Sequence, residues 1–178
     1  AAGELVYTGA LRTNPSAIVS HVPVRGQMCR VSPEYFTIMA DVHLLLEHLS
    51  EEDYTCSTPD GRGKTAQYAR ERLARLVCTD GEVLSGEEIT ALARYLHEKQ
   101  VQQISEALLQ ILSRLKGGYQ LPLIATGMGR FLALESGRRL GLTVLDLEPE
   151  WGGEIAAMTP CLAVAYLLAE RLEEGWQG

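Results

Sequence analysis

The sequence predicts an α/β fold carrying a helical insertion. Three observations support this: short β-type runs open the chain, the middle from Ser32 to Lys116 is patterned with a helical period, and a strand, turn, helix, strand order follows from Leu121 to Leu147. The last of these implies parallel strands joined by a right-handed crossover.

Composition narrows the function classes. The 178 residues are 46% hydrophobic, enough for one good core or two small lobes. A net charge of −7 and a pI near 5.1 argue against a nucleic-acid binder that relies on bulk electrostatics. No apolar run reaches the length that spans a bilayer. Cys29, Cys56, Cys78 and Cys161 are scattered, without a Cys-x-x-Cys pair or a histidine at ligand spacing, so neither a zinc site nor a disulfide framework is expected and a reducing cytoplasm fits. The first residues, Ala1 to Tyr7, lack an initiator Met and the features of a signal peptide, and they read as a strand entered in mid-flow of a longer protein.

Taken in order, Leu5-Val6-Tyr7 reads as a short strand and Arg12-Thr13-Asn14-Pro15 as a turn, because a residue before proline avoids the helical region. Ile18 to Val24 and Gln27 to Val31 flank Arg25-Gly26 as a hairpin. Ser32-Pro33-Glu34 supplies an N-cap, a proline at the first helical position and an early acid for a helix running to Leu49, which would set Glu34 and Asp41 two turns apart on one side. Residues 50–64 form the longest loop. Thr65 caps a helix to Cys78 that turns Ala69, Leu73, Leu76 and Val77 inward and leaves Arg72 and Arg75 as neighbours on the other side. The capping box Ser85 to Glu88 opens the longest helix, ending near Lys116 before Gly117-Gly118, with a bend or break near Lys99-Gln100. The strand 121–125, the turn Thr126 to Gly129, the helix Arg130 to Leu140 and the strand 142–147 follow. Pro160 marks a kink or fresh start in the last helix. The expected divisions are 1–31, a strand-rich start; 32–118, a helical lobe; and 119–178, the βαβ unit with its C-terminal helix.

Asp60 to Arg75 is the stretch best suited to an anion. A glycine-loosened turn, Asp60-Gly61-Arg62-Gly63-Lys64, delivers backbone N–H groups and cations to a helix N-terminus. It is not a P-loop, since Thr58 stands where that motif needs glycine. A solvated loop closed by an Asx-turn at Asp60 explains it equally well, and for the arginines of the helix a solvated face, with Arg70, Arg72 and Arg75 bridging Glu71 and other surface acids, is the usual explanation. Arg12, just past a strand end, is a further anion candidate. Glu34 and Asp41 on one helical side could hold Mg²⁺, and Asp41 amid apolar residues must be paired or hydrated. Gly127-Met128-Gly129 could approach a nucleotide or simply allow close packing, and the third glycine of a dinucleotide site is replaced by Leu132. No nucleophilic triad is legible.

These stretches together, from Gly3-Glu4-Leu5-Val6-Tyr7-Thr8-Gly9 through Asp60-Gly61-Arg62 and Arg72-Leu73-Ala74-Arg75 to Gly127-Met128-Gly129-Arg130-Phe131-Leu132-Ala133, resemble the hydantoinase/oxoprolinase-like proteins linked to tetrahydromethanopterin C1 transfer, a group that includes the furan-methanamine synthases of methanofuran and methylofuran biosynthesis. The resemblance implies the later part of an acetate and sugar kinase/Hsc70/actin-like (ribonuclease H-like) fold, with a missing N-terminal part as partner. It implies a transferase that joins an aminomethyl-furanmethyl diphosphate to a tyramine or tyrosine phenol and releases diphosphate with Mg²⁺. Arg12, Arg62, Lys64, Arg72 and Arg75 would then meet diphosphate, and Asp41 and Asp60 would hold metal or the phenol-side amine. Asn14 interrupts the Arg-Thr-Pro run of such proteins. The alternatives are an ATP-dependent small-molecule kinase or amidohydrolase with Gly127 and Gly129 facing the nucleotide, and a non-catalytic helical interaction lobe. The resemblance leaves a homodimer open.

Overall fold

The computed structural model describes residues 5–173. It is a mixed α/β structure with two small sheets and many helices, divided into two compact units, 1–116 and 117–178.

In the first unit the hairpin forms where the sequence places it. Strands β1 (His21–Val24) and β2 (Gln27–Arg30) pair antiparallel with Val24 opposite Gln27. Arg25 and Gly26 both have positive φ, 48° and 77°, the two-residue geometry whose twist matches the flanking strands. Leu5-Val6-Tyr7 is not a strand: no described strand lies beside it, and an isolated strand leaves its backbone groups unpaired. Asn14 caps a single 3-10 turn, Pro15–Ala17, by accepting from the Ser16 N–H at 3.0 Å.

Helix α1 is shorter than the sequence suggests, Met39–Leu45. Ser32 closes only a local turn onto the Glu34 N–H. The helix instead starts where Asp41 reaches back to the Ile38 N–H at 3.3 Å and where Met39 and Ala40 donate to the carbonyls of Thr13 and Leu11. It stops before Glu47, whose φ is 59°. Every residue from Met39 to Leu44 is buried, so α1 is a central helix with no solvent face. Met39 and Val42 pack with Val22, Leu73, Leu76 and Leu92 in one cluster, while Ala40 and Leu44 pack with Tyr54, Cys56 and Ala69 in a second.

Helix α2 (Ala66–Arg75) is capped by the Thr65 hydroxyl, and α3 (Gly86–Leu112) by the reciprocal Ser85 and Glu88 bonds. Helix α3 runs unbroken through Lys99-Gln100 and ends at Leu112, short of Lys116. At that point Gln100 is buried and bonded: its amide nitrogen donates to Thr8 Oγ1 at 2.7 Å and to the Gly9 carbonyl at 3.0 Å, and its oxygen meets His43 Nε2 at 2.8 Å.

The second unit contains the expected parallel pair, β3 (Leu123–Ala125) and β4 (Val144–Asp146), joined through α4 (Arg130–Arg139). Gly137 of α4 faces the strands so closely that a Cβ there would stand 2.5 Å from Val144 Cγ2 and 2.8 Å from Leu123 Cδ2. Three helices follow, α5 (Glu148–Trp151), α6 (Gly153–Ala157) and α7 (Thr159–Glu173), with Pro160 in the first turn of α7. Among the described residues no helix is long and apolar enough to cross a membrane. All four cysteines are free thiols.

Candidate functional site

The first unit builds a buried ion-pair network from residues far apart in sequence. Burying the Asp41 carboxylate at 0% exposure requires full pairing, and its surroundings supply it. Oδ1 accepts from Arg72 Nε at 3.0 Å, Arg72 Nη2 at 2.7 Å and the Tyr54 hydroxyl at 3.0 Å; Oδ2 accepts from Thr37 Oγ1 at 2.9 Å and the Ile38 N–H. Burial, and then the Asp41 charge, push the Tyr54 phenol up, so it stays a neutral donor.

Arg72, also at 0% exposure, continues the chain of contacts. Its Nη1 donates to Asp60 Oδ1 at 3.2 Å and to the Gly63 carbonyl at 3.1 Å. Asp60 is the hub of the loop. It accepts from the Arg62 N–H and Nε, from Arg72 and from Arg75 Nη1. Burial alone would raise its pKa, but the Arg62 hydrogen bonds and the charges of Arg72 and Arg62 outweigh it and hold the carboxyl at about 2. Arg62 also pairs with Glu71 and stacks on the Tyr68 ring with its guanidinium carbon 4.8 Å from the ring centre. Gly61 at φ 70° makes this turn possible.

Asp41, Asp60, Arg62, Arg72 and Arg75 are thus brought together, but in a different state from the sequence expectation. Arg72 does not lie on the outer side of α2; it points into the core, because Asp41 and Tyr54 provide a partner there that helical periodicity does not reveal. The three guanidinium groups of Arg62, Arg72 and Arg75 face the three carboxylates of Asp41, Asp60 and Glu71, so the network is balanced in itself. Lys64 is different: its ammonium lies 5.6 Å from the centre of the Tyr54 ring and has no carboxylate partner among the described residues.

Glu34 is exposed and precedes α1, so the shared helical side proposed for Glu34 and Asp41 does not exist. Asp41 and Asp60 do not fit a resident Mg²⁺ either. Every carboxylate oxygen of the two already accepts hydrogen bonds, and arginine charges occupy the positions a cation would take. Arg12 is exposed and lies outside the hydrogen bonds of the network. In the second unit Gly127 has φ 81° and its N–H donates to the Ala156 carbonyl at 2.9 Å, while Gly129 caps α4. Arg130 pairs with Asp146 and Glu148 beside that turn.

The residues that sequence reasoning missed are Thr37 and Tyr54; Glu71, expected to bridge the arginines of its own helix, pairs with Arg62 of the loop. A tyrosine isolated inside the polar loop 50–64 was the available signal, since an aromatic in such a loop usually serves packing.

Along the outer side of the loop, Thr55, Ser57, Thr58, Arg62 and Lys64 line an open cleft of 680 Å³. Thr58 Oγ1 donates to the Arg62 carbonyl at 2.7 Å and fixes the loop's return.

The hydantoinase/oxoprolinase family profile matches residues 1–171. The chain is 34% identical over 172 residues, 96% of its length, to a synthase of Methanocaldococcus jannaschii, and 26% identical over 174 residues, 95% of its length, to one of Methanococcus vannielii. Both relatives are named for making a (phenoxymethylfuran-2-yl)methanamine that bears a gamma-L-glutamylaminoethyl group. The match spans 50% of the first relative's length and 77% of the second's.

Proposed function

Because the chain belongs to the hydantoinase/oxoprolinase family, we propose that it is part of a transferase of methanofuran or methylofuran biosynthesis that joins an aminomethyl-furanmethyl diphosphate to the phenol of a tyramine or tyrosine derivative. The phenol oxygen forms a bond to the furan methylene carbon, the carbon–oxygen bond to diphosphate breaks with its electron pair leaving on diphosphate, and the phenol proton is released. The phenoxymethyl-furan ether in the names of both relatives is the bond this reaction makes.

The observation that carries the reading is the loop that sets Arg62 and Lys64 at the start of α2, where a departing diphosphate needs fixed positive charge, while Asp60 with the buried Arg72 and with Arg75 holds that loop in place. Asp41, sealed from solvent, acts as a positioning residue that holds Arg72 and thereby Asp60. We place Mg²⁺ with the diphosphate as its counter-ion, not on Asp41 or Asp60. We further propose that the two units belong to the later part of an acetate and sugar kinase/Hsc70/actin-like fold in a cytoplasmic protein.

The test is incubation of the whole protein with the furan diphosphate, Mg²⁺ and a tyramine or tyrosine acceptor, followed by mass spectrometry of the ether and assay of released diphosphate. Appearance of both supports the reading, and absence of both sinks it.

A further inference from the structure

We propose that the cleft on the outer side of loop 50–64 is an oxyanion subsite for a diphosphate or phosphate-monoester end, with the Lys64 ammonium and the hydroxyls of Thr55 and Ser57 as its donors and the Arg62 guanidinium as a fixed positive charge beside them. The inference rests on the transferase reading and gives the leaving group a seat that excludes Arg72 and Arg75.

Four observations lead there. Arg72 has no exposed surface and its guanidinium is spent on Asp41, Asp60 and Gly63, so a ligand reaches it only by dismantling the core. Lys64 lines the cleft and has no carboxylate partner among the described residues, and its contact with the Tyr54 ring leaves its three donors available. Arg62 lines the same cleft with its side chain partly exposed; its Nε and Nη1 are bonded to Asp60 and Glu71 and its Nη2 is shielded from solvent, so it contributes a fixed positive charge rather than a free donor. Thr55 and Ser57 place exposed hydroxyls on the lining, neither bonded elsewhere among the described residues. The volume of 680 Å³ lies within the roughly 300–1,000 Å³ of small-molecule sites.

Glu51 also lines the cleft. Its carboxylate repels an anion, so the subsite makes a prediction of opposite sign at that position.

The experiment is calorimetric titration of the full chain with inorganic pyrophosphate, and separately with inorganic phosphate to separate the two ligand classes. Lys64→Ala should weaken pyrophosphate binding by about tenfold and Ser57→Ala by about threefold, while Glu51→Gln tightens it by about threefold. Arg70→Ala, on the exposed side of α2, controls for bulk charge and should leave binding unchanged. Circular dichroism melting of each variant reports folding; the Lys64 ammonium lies over the Tyr54 ring at 5.6 Å and has no carboxylate partner among the described residues, so its variant should melt close to the parent. Unchanged affinity in Lys64→Ala, or equal losses in Lys64→Ala and Arg70→Ala, overturns the subsite. If the protein turns over the furan diphosphate yet binds no pyrophosphate, the subsite is wrong and the transferase reading stands. If it binds pyrophosphate as described and makes no ether, the subsite stands and the reaction assignment fails.

Discussion

Asp41 and Arg72 show what burial does to a charge pair. Neither carboxylate nor guanidinium sees solvent, and each is acceptable only because the other is there, with Tyr54 and Thr37 completing the carboxylate's bonds. Removing one partner leaves an uncompensated buried charge, so Arg72→Ala should destabilise the first unit by about 3–5 kcal/mol. The Asp41→Ala, Arg72→Ala double variant should cost clearly less than the sum of the two single losses. Urea denaturation of the four proteins in this cycle measures both quantities; additive losses would mean that the pair is not coupled. The buried acid among apolar neighbours was legible in the sequence, since Asp41 stands between Ala40 and Val42. Its partner was not, because 31 positions separate Asp41 from Arg72 and no local period connects them.

At the level of elements, local chemistry decided most boundaries. The Arg25-Gly26 turn, the Thr65 cap, the Ser85 to Glu88 box and the Pro160 restart all lie where their residues require. The hairpin turn is also tied to α3, because Arg25 donates from Nε to Glu88 Oε1 at 2.6 Å and from Nη2 to the Val83 carbonyl at 2.7 Å. The hydrogen bond from Arg25, with that of the Ser85 N–H, holds the Glu88 carboxyl at about 2. Helix α1 is the exception. Ser32-Pro33-Glu34 is a sound local start signal, yet the chain there only bends and α1 begins at Met39, where its first N–H groups find the carbonyls of Thr13 and Leu11. In the second unit, close approach of α4 to the strands depends on a missing side chain. Gly137→Ala should therefore cost about 1–3 kcal/mol by overpacking against Val144 and Leu123, despite the better helix propensity of alanine. Thermal melting followed by circular dichroism tests this, and a variant as stable as the parent would show that the strands give way without cost.

For the molecule as a whole, titration sets an acid limit on stability. The Asp60 carboxyl, near 2 in the fold against 3.8 ordinarily, contributes stability that is complete above about 3.8 and is lost as pH falls through 2. His43 acts over a higher window. Burial, partly offset by the Gln100 bond, lowers its pKa from 6.5 to about 3, so the fold keeps the ring neutral while the unfolded chain takes up a proton below 6.5. Stability should therefore decline from pH 6.5 downward, and more steeply below 4 as Asp60 adds its share. Urea midpoints measured between pH 7 and 3 check this: His43→Gln should flatten the upper part of the decline and Asp60→Asn the lower part. A wild-type midpoint that does not move between pH 6.5 and 4 would remove His43 from the account.

The amino-acid sequence by itself determined the α/β class, the hairpin, the caps of α2 and α3, the parallel βαβ unit and the identity of Asp60 to Arg75 as a charged loop feeding a helix. These rest on interactions within a few residues, which periodicity and capping chemistry express directly. Only the tertiary structure decided which arginines of that stretch are exposed. A helix places Arg72 on a face but does not say what faces it, and here Asp41 and Tyr54 turn it into the interior and leave Lys64 beside the open cleft. The reason is desolvation: a charge goes inward only where distant parts of the chain supply its partners, and that supply is fixed by the packing of α1, α2 and the loop together.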